Sequence, residues 1–398
     1  MSAKLWTSQF WRISFSNFFL FASLFTLLPQ LAPLMGERLG TLSVGEMQAV
    51  YLFFGVGVLL IGPFHAYLVD AYRRKYVYLF SLVLMMASTG GMAFVENFPE
   101  LLMLSVVYGL SFGLAATAGI TLAIDITNST LRSQGNICFA WAALWGIVVG
   151  GTLGAFLWGF LVHHPYWLLY ASGVWGVLCG LSTLRIYVPF RAPLVTQAIS
   201  LDRFFLPRAW VPALGMLPIT FVVGLWVALS FPLAERSDGS MFVFPVFGLA
   251  GVGLVGAYVV RSLRLVQTHV YSTILVGLVL LVVGAFAFRL TQQNFTSVTL
   301  MGLGLGLALP GLWLVFVKLS RHCQRGTANT ACLIASLAGF LLGLTQMWRA
   351  YFLNNDMECV GTREVLSYVE GATLVATLVA LAFFACFTYP YYKRYKVR

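Results

Sequence analysis

The amino-acid sequence predicts an all-α polytopic membrane protein of twelve transmembrane helices, arranged as two six-helix bundles. Three observations predict it. Only 9% of the 398 residues are charged and 60% are hydrophobic, whereas a water-soluble domain carries about 25% charged residues. The apolar residues fall into twelve long, unalternated runs of the length that crosses hydrocarbon, about 20 residues each, which favours helices over a barrel. The few charges cluster in short segments between the runs.

Taken in order, span one covers residues 11–34. It lacks a small-residue cleavage site and is too long for a signal peptide, so it is expected to be retained. Span two (47–69) and span three (76–95) are joined by a basic loop at Arg73, Arg74 and Lys75. Spans four (99–123) and five (137–161) are joined through Thr130-Leu-Arg132-Ser-Gln-Gly135. Span six (165–187) closes a first half, residues 1–187. Residues 188–208, with Pro189, Pro193 and Pro207, form a linker. The second half, 209–398, repeats the count with spans at 209–232, 241–260, 269–288, 295–317, 327–348 and 366–389. No loop is long enough for a soluble domain.

The charges support an even number of spans. With the N-terminus inside, 19 of the 24 basic residues lie on the inner side and ten of the 13 acidic residues on the outer. This is a strong positive-inside bias, and an odd count would scramble it. Both termini are therefore expected in the cytoplasm. The net charge of +11 follows from basic loops that face anionic headgroups. No basic stripe with interleaved aromatics calls for a nucleic acid. Of the six cysteines, Cys359 alone falls in an outer loop, so no disulfide framework is expected. No metal-ligand spacing occurs, and neither metal nor cofactor is expected.

The halves carry traces of each other. Gly109-Leu-Ser-Phe-Gly113 in span four matches Gly302-Leu-Gly-Leu-Gly306 in span ten. Gly146-Ile-Val-Val-Gly150 in span five matches Gly339-Phe-Leu-Leu-Gly343 in span eleven, and Arg132 matches Arg325. Every pair is offset by 193 residues. Small-xxx-small spacing is ordinary helix glue, but one offset shared by two helices and the loop between them indicates a parallel six-helix duplication. Such repeats enclose a central cavity and rock about it.

With these features the chain resembles the major facilitator superfamily over nearly its whole length. The loop Ala66-Tyr-Leu-Val-Asp70-Ala-Tyr-Arg73-Arg74-Lys75 is similar to that family's Gly-x-x-x-Asp-Arg-x-Gly-Arg-Arg/Lys signature. It matches at Asp70, Arg74 and Lys75 and departs at Ala66, Ala71 and Arg73. The resemblance implies secondary active transport of a small molecule by alternating access in a bacterial inner membrane. It also implies a cytoplasmic latch that draws on Asp70, Arg74, Lys75, Asp125, Arg132 and Arg325. Two marks of proton-coupled drug exporters are incomplete. Ser105 stands where those exporters carry an arginine, and Gly151 where they carry a proline.

Few ionisable groups fall at mid-depth, where burial would mark them as functional. His65 is the coupling candidate by its near-neutral titration. In this architecture spans one, four, seven and ten usually line the cavity. The polar candidates there are Asn17, Gln30, Thr117, Thr121 and Thr220, followed by Gln346, Trp141 and Trp145. The amide of Asn17 needs a partner in hydrocarbon, either a ligand or a neighbouring helix. Without a central carboxylate the expected solute is uncharged or amphipathic, its export is preferred to uptake, and a proton gradient is the expected drive. No Walker loop points to ATP. A monomer in the lipid bilayer is expected. Two other classes stay open: an integral-membrane enzyme, which would need a reactive cluster the sequence lacks, and a non-transporting sensor or assembly subunit.

Overall fold

The computed structural model describes residues 4–40, 42–160, 166–188, 205–235, 243–291, 295–320, 324–354 and 361–395. Among them every regular element is helical. Span one is α1 (Ser8–Leu27) and α2 (Leu31–Leu39), joined by a 3-10 turn at Leu28–Gln30. Span two is α3 (Val44–Leu60) followed by α4 (Gly62–Ala71). Spans three to six are α5 (Arg74–Met92), α6 (Phe98–Ile126), α7 (Arg132–Phe160) and α8 (Tyr166–Leu184). Spans seven and eight are α9 (Trp210–Glu235) and α10 (Val243–Arg261), with a short α11 (Leu263–Thr268) after them. Spans nine to eleven are α12 (Val270–Thr291), α13 (Phe295–Leu319) and α14 (Arg325–Asn354). Span twelve runs from α15 (Gly361–Phe383) through a π-helical turn at Phe384–Thr388 into α16 (Tyr389–Tyr395). Ten of these segments are long and apolar enough to cross a membrane. The other two, α5 and α10, are helices of 19 residues at the positions expected for spans three and eight.

Local chemistry sets several helix starts. Thr7 caps α1 by accepting the Phe10 N–H, and Ser43 and Glu46 form a reciprocal capping box on α3. Asn97 caps α6 by accepting the Glu100 N–H. Each cap satisfies orphan donors of the first turn. Proline stands in the first turn of α4 and α6, where its missing N–H has no helical partner to lose.

Packing repeats across the two halves of the sequence. In the first half α1 packs on α7 and α8, α3 on α6, and α5 on α6 and α8. In the second half α9 packs on α14 and α15, α10 on α13, and α12 on α13 and α15. Each pairing thus recurs six spans later. The glycines at the 193-residue offset sit in these seams. A Cβ on Gly150 of α7 would lie 2.5 Å from the Ala22 carbonyl of α1. A Cβ on Gly343 of α14 would lie 2.1 Å from the Phe221 carbonyl of α9. The backbones approach so closely that no larger residue fits. Gly109 likewise rests on Phe54 of α3, and Gly302 on Gly248 of α10.

Candidate substrate cavity and gates

The polar chemistry between the halves begins with two prolines. A helical carbonyl accepts the N–H four residues further on, and proline has no N–H to give. Pro33 in α2 therefore leaves the Pro29 carbonyl without a helical donor. Pro310, inside α13, does the same to the Gly306 carbonyl. Tryptophans from the opposite half take both acceptors. Trp348 on α14 donates its indole N–H to the Pro29 oxygen at 2.9 Å. The Tyr51 hydroxyl of α3 donates to the same oxygen, also at 2.9 Å. Trp141 on α7 donates to the Gly306 oxygen at 3.2 Å, and its ring lies in the space that a side chain on Gly256 of α10 would fill. The Trp348 bond lies toward the end away from the basic loops. The Trp141 bond lies nearer the basic end. The two donors stand on spans five and eleven, which are six apart.

Between these two bonds lies a cavity of about 60 Å³ built by five helices. Its walls are Phe21 and Phe25 of α1, Ala140 to Ile147 of α7, Met216, Thr220 and Val223 of α9, Leu309 to Trp313 of α13, and Leu333 to Phe340 of α14. Phe25 and Phe340 close it from opposite halves, their ring centroids 4.7 Å apart. No charged side chain lines it. Its two hydroxyls are both engaged: Thr220 donates to the Met216 carbonyl at 3.1 Å and Ser336 to the Cys332 carbonyl at 2.7 Å. The space has room for a few waters, whereas sites for organic ligands run to roughly 300–1,000 Å³. A solute of that size does not fit while Phe25 and Phe340 meet.

A second cavity of about 330 Å³ lies on the opposite face of α7. Trp6, Trp11, Phe15 and Phe18, with Trp141 and Trp145, give it an aromatic lining. Trp11 and Phe15 are 46% and 48% exposed at its edge, and Val259 of α10 forms its far side.

At the basic end, α4, α5, α6 and α8 are tied together by charge. Arg74 pairs with Asp125 at 2.5 Å across α5 and α6. Lys75 donates to the carbonyls of Leu184 and Ile186 at 2.7 and 2.9 Å, the C-terminal end of span six. These contacts all fall within the first half. Arg132 begins α7 half-buried, and its Nε has no partner. Asp70 lies near the end of α4 and Arg325 begins α14, but their side chains lie outside the described residues, as do linker residues 189–204.

The structure separates the remaining candidates. Asn17 is buried and donates to the Phe139 carbonyl of α7 at 2.9 Å, which ties spans one and five together. Thr117 and Thr121 hydrogen-bond to carbonyls of their own helix and are not among the cavity's lining residues. Thr220 lines the cavity, whereas Trp145 lines the aromatic groove. Gln346 is half-buried on α14, and His65 is buried in α4. Gln30 is fully buried beside the Pro29 carbonyl, and neither amide atom has a partner. Sequence reasoning missed Trp348, whose signal was the Pro29–Pro33 spacing, and Ser336. Among the described residues four cysteines are free thiols, and no group of three potential ligands could hold a metal.

Twelve helical segments with internally repeated packing, around an apolar cavity shared by both halves, define a polytopic membrane transporter. The chain belongs to the major facilitator superfamily, whose family model matches residues 13–352. An uncharacterized transporter of Schizosaccharomyces pombe (strain 972 / ATCC 24843) is 24% identical over 382 residues, which covers 82% of this chain and 68% of that protein. The fold is similar to a crystal structure of a mutant of the nucleoside transporter NupG, with a TM-score of 0.64, 13% identity, and coverage of 94% of this chain and 100% of that one. It is also similar to the human organic anion transporter MFSD10 (TETRAN), with a TM-score of 0.64, 16% identity, and coverage of 94% and 99%. A bacterial homolog of the human lysosomal transporter Spinster, inward-facing and occupied, gives a TM-score of 0.62 at 15% identity over the full length of both chains.

Proposed function

We propose that this transporter is a proton-coupled secondary carrier that exports a small uncharged or amphipathic organic solute across a bacterial inner membrane. In this reading residues 1–187 and 209–398 are two six-helix bundles joined by a linker at 188–208. The protein is a monomer with both termini in the cytoplasm, and its basic end is the cytoplasmic end. The bundles rock about the central cavity and open it to one side at a time. The observation that carries the substrate class is the cavity lining, apolar apart from two hydroxyls and without a single charge. A charged solute there would lose its hydration without an opposite charge to meet it. The latch residues keep their proposed roles. Arg74 and Asp125 hold the turn that follows Asp70 at the end of α4, and Arg132 and Arg325 stand at the equivalent turns of the two halves.

The test begins with the purified protein. A thermal-shift screen against metabolites and antibiotics at two pH values identifies ligands, and flux of each hit is then measured in proteoliposomes. The expected result is stabilisation by neutral or amphipathic compounds and flux that responds to an imposed pH gradient. A hit list of compact ions alone would overturn the substrate class. Flux indifferent to the gradient would overturn the coupling, and turnover of a hit to a new product would point to an enzyme instead.

A further inference from the structure

The aromatic groove beside α7 has no place in the account so far. At about 330 Å³ it is larger than the central cavity, and it reaches the size of sites that hold organic molecules, roughly 300–1,000 Å³. Two helices supply its aromatic walls. On α1 the Trp6 and Trp11 rings lie 4.5 Å apart, and Trp11 stacks on Phe15 at 5.6 Å. The four-residue step from Trp11 to Phe15 puts both on one helix face. On α7 Trp141 and Trp145 meet edge to face at 6.1 Å. A tryptophan belt at the membrane surface is common and accounts for Trp6 and Trp11. It does not account for Trp145, which stands well inside α7, nor for the hydroxyl that shares the groove.

That hydroxyl belongs to Ser14. It lines the groove, the residue is only 7% exposed, and its Oγ has no hydrogen-bond partner. Thr220 and Ser336 in the central cavity each spend their hydroxyl on a carbonyl of their own helix, but Ser14 does not. A bare hydroxyl is costly in apolar surroundings. A ligand with one hydrogen-bonding group removes that cost, whereas a lipid acyl chain leaves it in place. No charged side chain lines the groove, so an ion there would lose its hydration without an opposite charge to meet it. Rings on both helices suit a planar aromatic molecule, which gains from stacked and edge contacts beyond its buried area.

The groove also spans the seam between the halves. α1 and α7 belong to the first half, and Val259 on the far side belongs to α10 of the second. Trp141, part of the wall, holds the Gly306 carbonyl of the second half at 3.2 Å. An occupant therefore touches both halves and rests against the ring that joins them.

We propose that this groove is a binding site for an uncharged, planar aromatic molecule that hydrogen-bonds to Ser14. The proposal rests on the transporter reading and deepens it by naming the class of solute that the carrier recognises. The test uses the full chain in detergent and 2-naphthol, which is planar, uncharged in neutral buffer and carries one hydroxyl. Binding of the radiolabelled compound is measured by equilibrium dialysis, with protein-free micelles subtracted. Two relatives compete against it. 2-Methylnaphthalene keeps the rings without the hydroxyl, and decahydro-2-naphthol keeps the hydroxyl without the aromatic rings.

2-Naphthol is expected to bind more tightly than either relative. Ser14→Ala should weaken its binding about fivefold, the loss of one hydrogen bond, and leave 2-methylnaphthalene unchanged. Trp145→Leu should weaken both naphthalenes roughly two- to tenfold. Ala142→Phe, which fills the groove from α7, should abolish binding. Ser14→Ala discards a hydroxyl that bonds nothing, so its melting temperature should not fall; should either larger substitution fail to fold, the Ser14→Ala comparison decides alone. Absence of saturable 2-naphthol binding, or an affinity unchanged in Ser14→Ala, overturns the site. Equal affinity for decahydro-2-naphthol overturns the aromatic class, and a copurified phospholipid that 2-naphthol does not displace makes the groove a lipid seat and overturns the proposal too. The expected binding pattern without flux of any solute in proteoliposomes would count against the transport reading and leave the site standing. Flux of a neutral solute beside a flat Ser14→Ala comparison would do the reverse.

Discussion

The bond from Trp348 to the Pro29 carbonyl gives the sharpest test of the gating scheme. Trp348→Phe removes one donor and keeps an aromatic ring. The acceptor is not orphaned, because the Tyr51 hydroxyl remains on it at 2.9 Å. The loss is therefore that of an ordinary hydrogen bond, about 1 kcal/mol, without the added penalty of a bare buried carbonyl. The bond exists only while the halves meet at this end, so its loss is felt by the closed arrangement alone. About 1 kcal/mol corresponds to a shift of about fivefold toward the open form. The assay is the rate at which a membrane-impermeant thiol reagent labels a cysteine placed at Leu341, where α14 faces Gly55 of α3 across the halves; it should rise by that factor. Asn17→Leu is the internal control. It removes a bond of the same length, to the Phe139 carbonyl at 2.9 Å, but α1 and α7 belong to one half and stay together in either state. It should lower the melting temperature while leaving the labelling rate unchanged. Equal acceleration by both substitutions, or none by Trp348→Phe, would refute the assignment of this bond as a gate.

Other substitutions test neighbouring parts of the argument. Gly256→Ala places a Cβ 2.0 Å from the Trp141 ring; the overpacking should cost about 1–3 kcal/mol, seen as a lower melting temperature in detergent that Trp141→Leu partly restores. Asn17→Leu should lower stability by about 1 kcal/mol through its lost bond to Phe139 and leave the KM for any transported solute unchanged; a large rise in KM would instead put the amide on the ligand. Asp125→Asn and Arg74→Gln should each lower stability by no more than about 1 kcal/mol, with the double variant no worse than either single one in a denaturation cycle. Asp70→Asn should abolish most flux at normal expression, and wild-type flux would remove it from the latch.

Much of the fold was legible in the sequence because hydrocarbon is an unforgiving solvent. Each of the twelve apolar runs is a helix, and the 193-residue offset located glycines that pack on equivalent helices. The walls of the cavity were less legible. Hydropathy locates a helix but not the face it turns inward, so Thr117 and Thr121 of span four looked as suitable as Thr220. Each can satisfy its hydroxyl on its own backbone, and that local bond leaves no trace in composition. Helix ends were the other source of error. Apolar character fades before the helix does, so span eleven seemed to end at Trp348 although α14 continues to Asn354.

The pairing of a proline with the carbonyl four residues before it has an energetic consequence. Each half contributes one vacated acceptor and one indole, so the protein carries two fasteners of the same chemistry at different depths. Undoing the Trp348 bond leaves the Pro29 carbonyl to Tyr51, and undoing the Trp141 bond bares the Gly306 carbonyl, so the two one-sided conformers differ by about 1–3 kcal/mol while a form with both undone stands higher. A carrier balanced this way needs only a modest preference of its cargo for one conformer to tip it, and it resists becoming a leak.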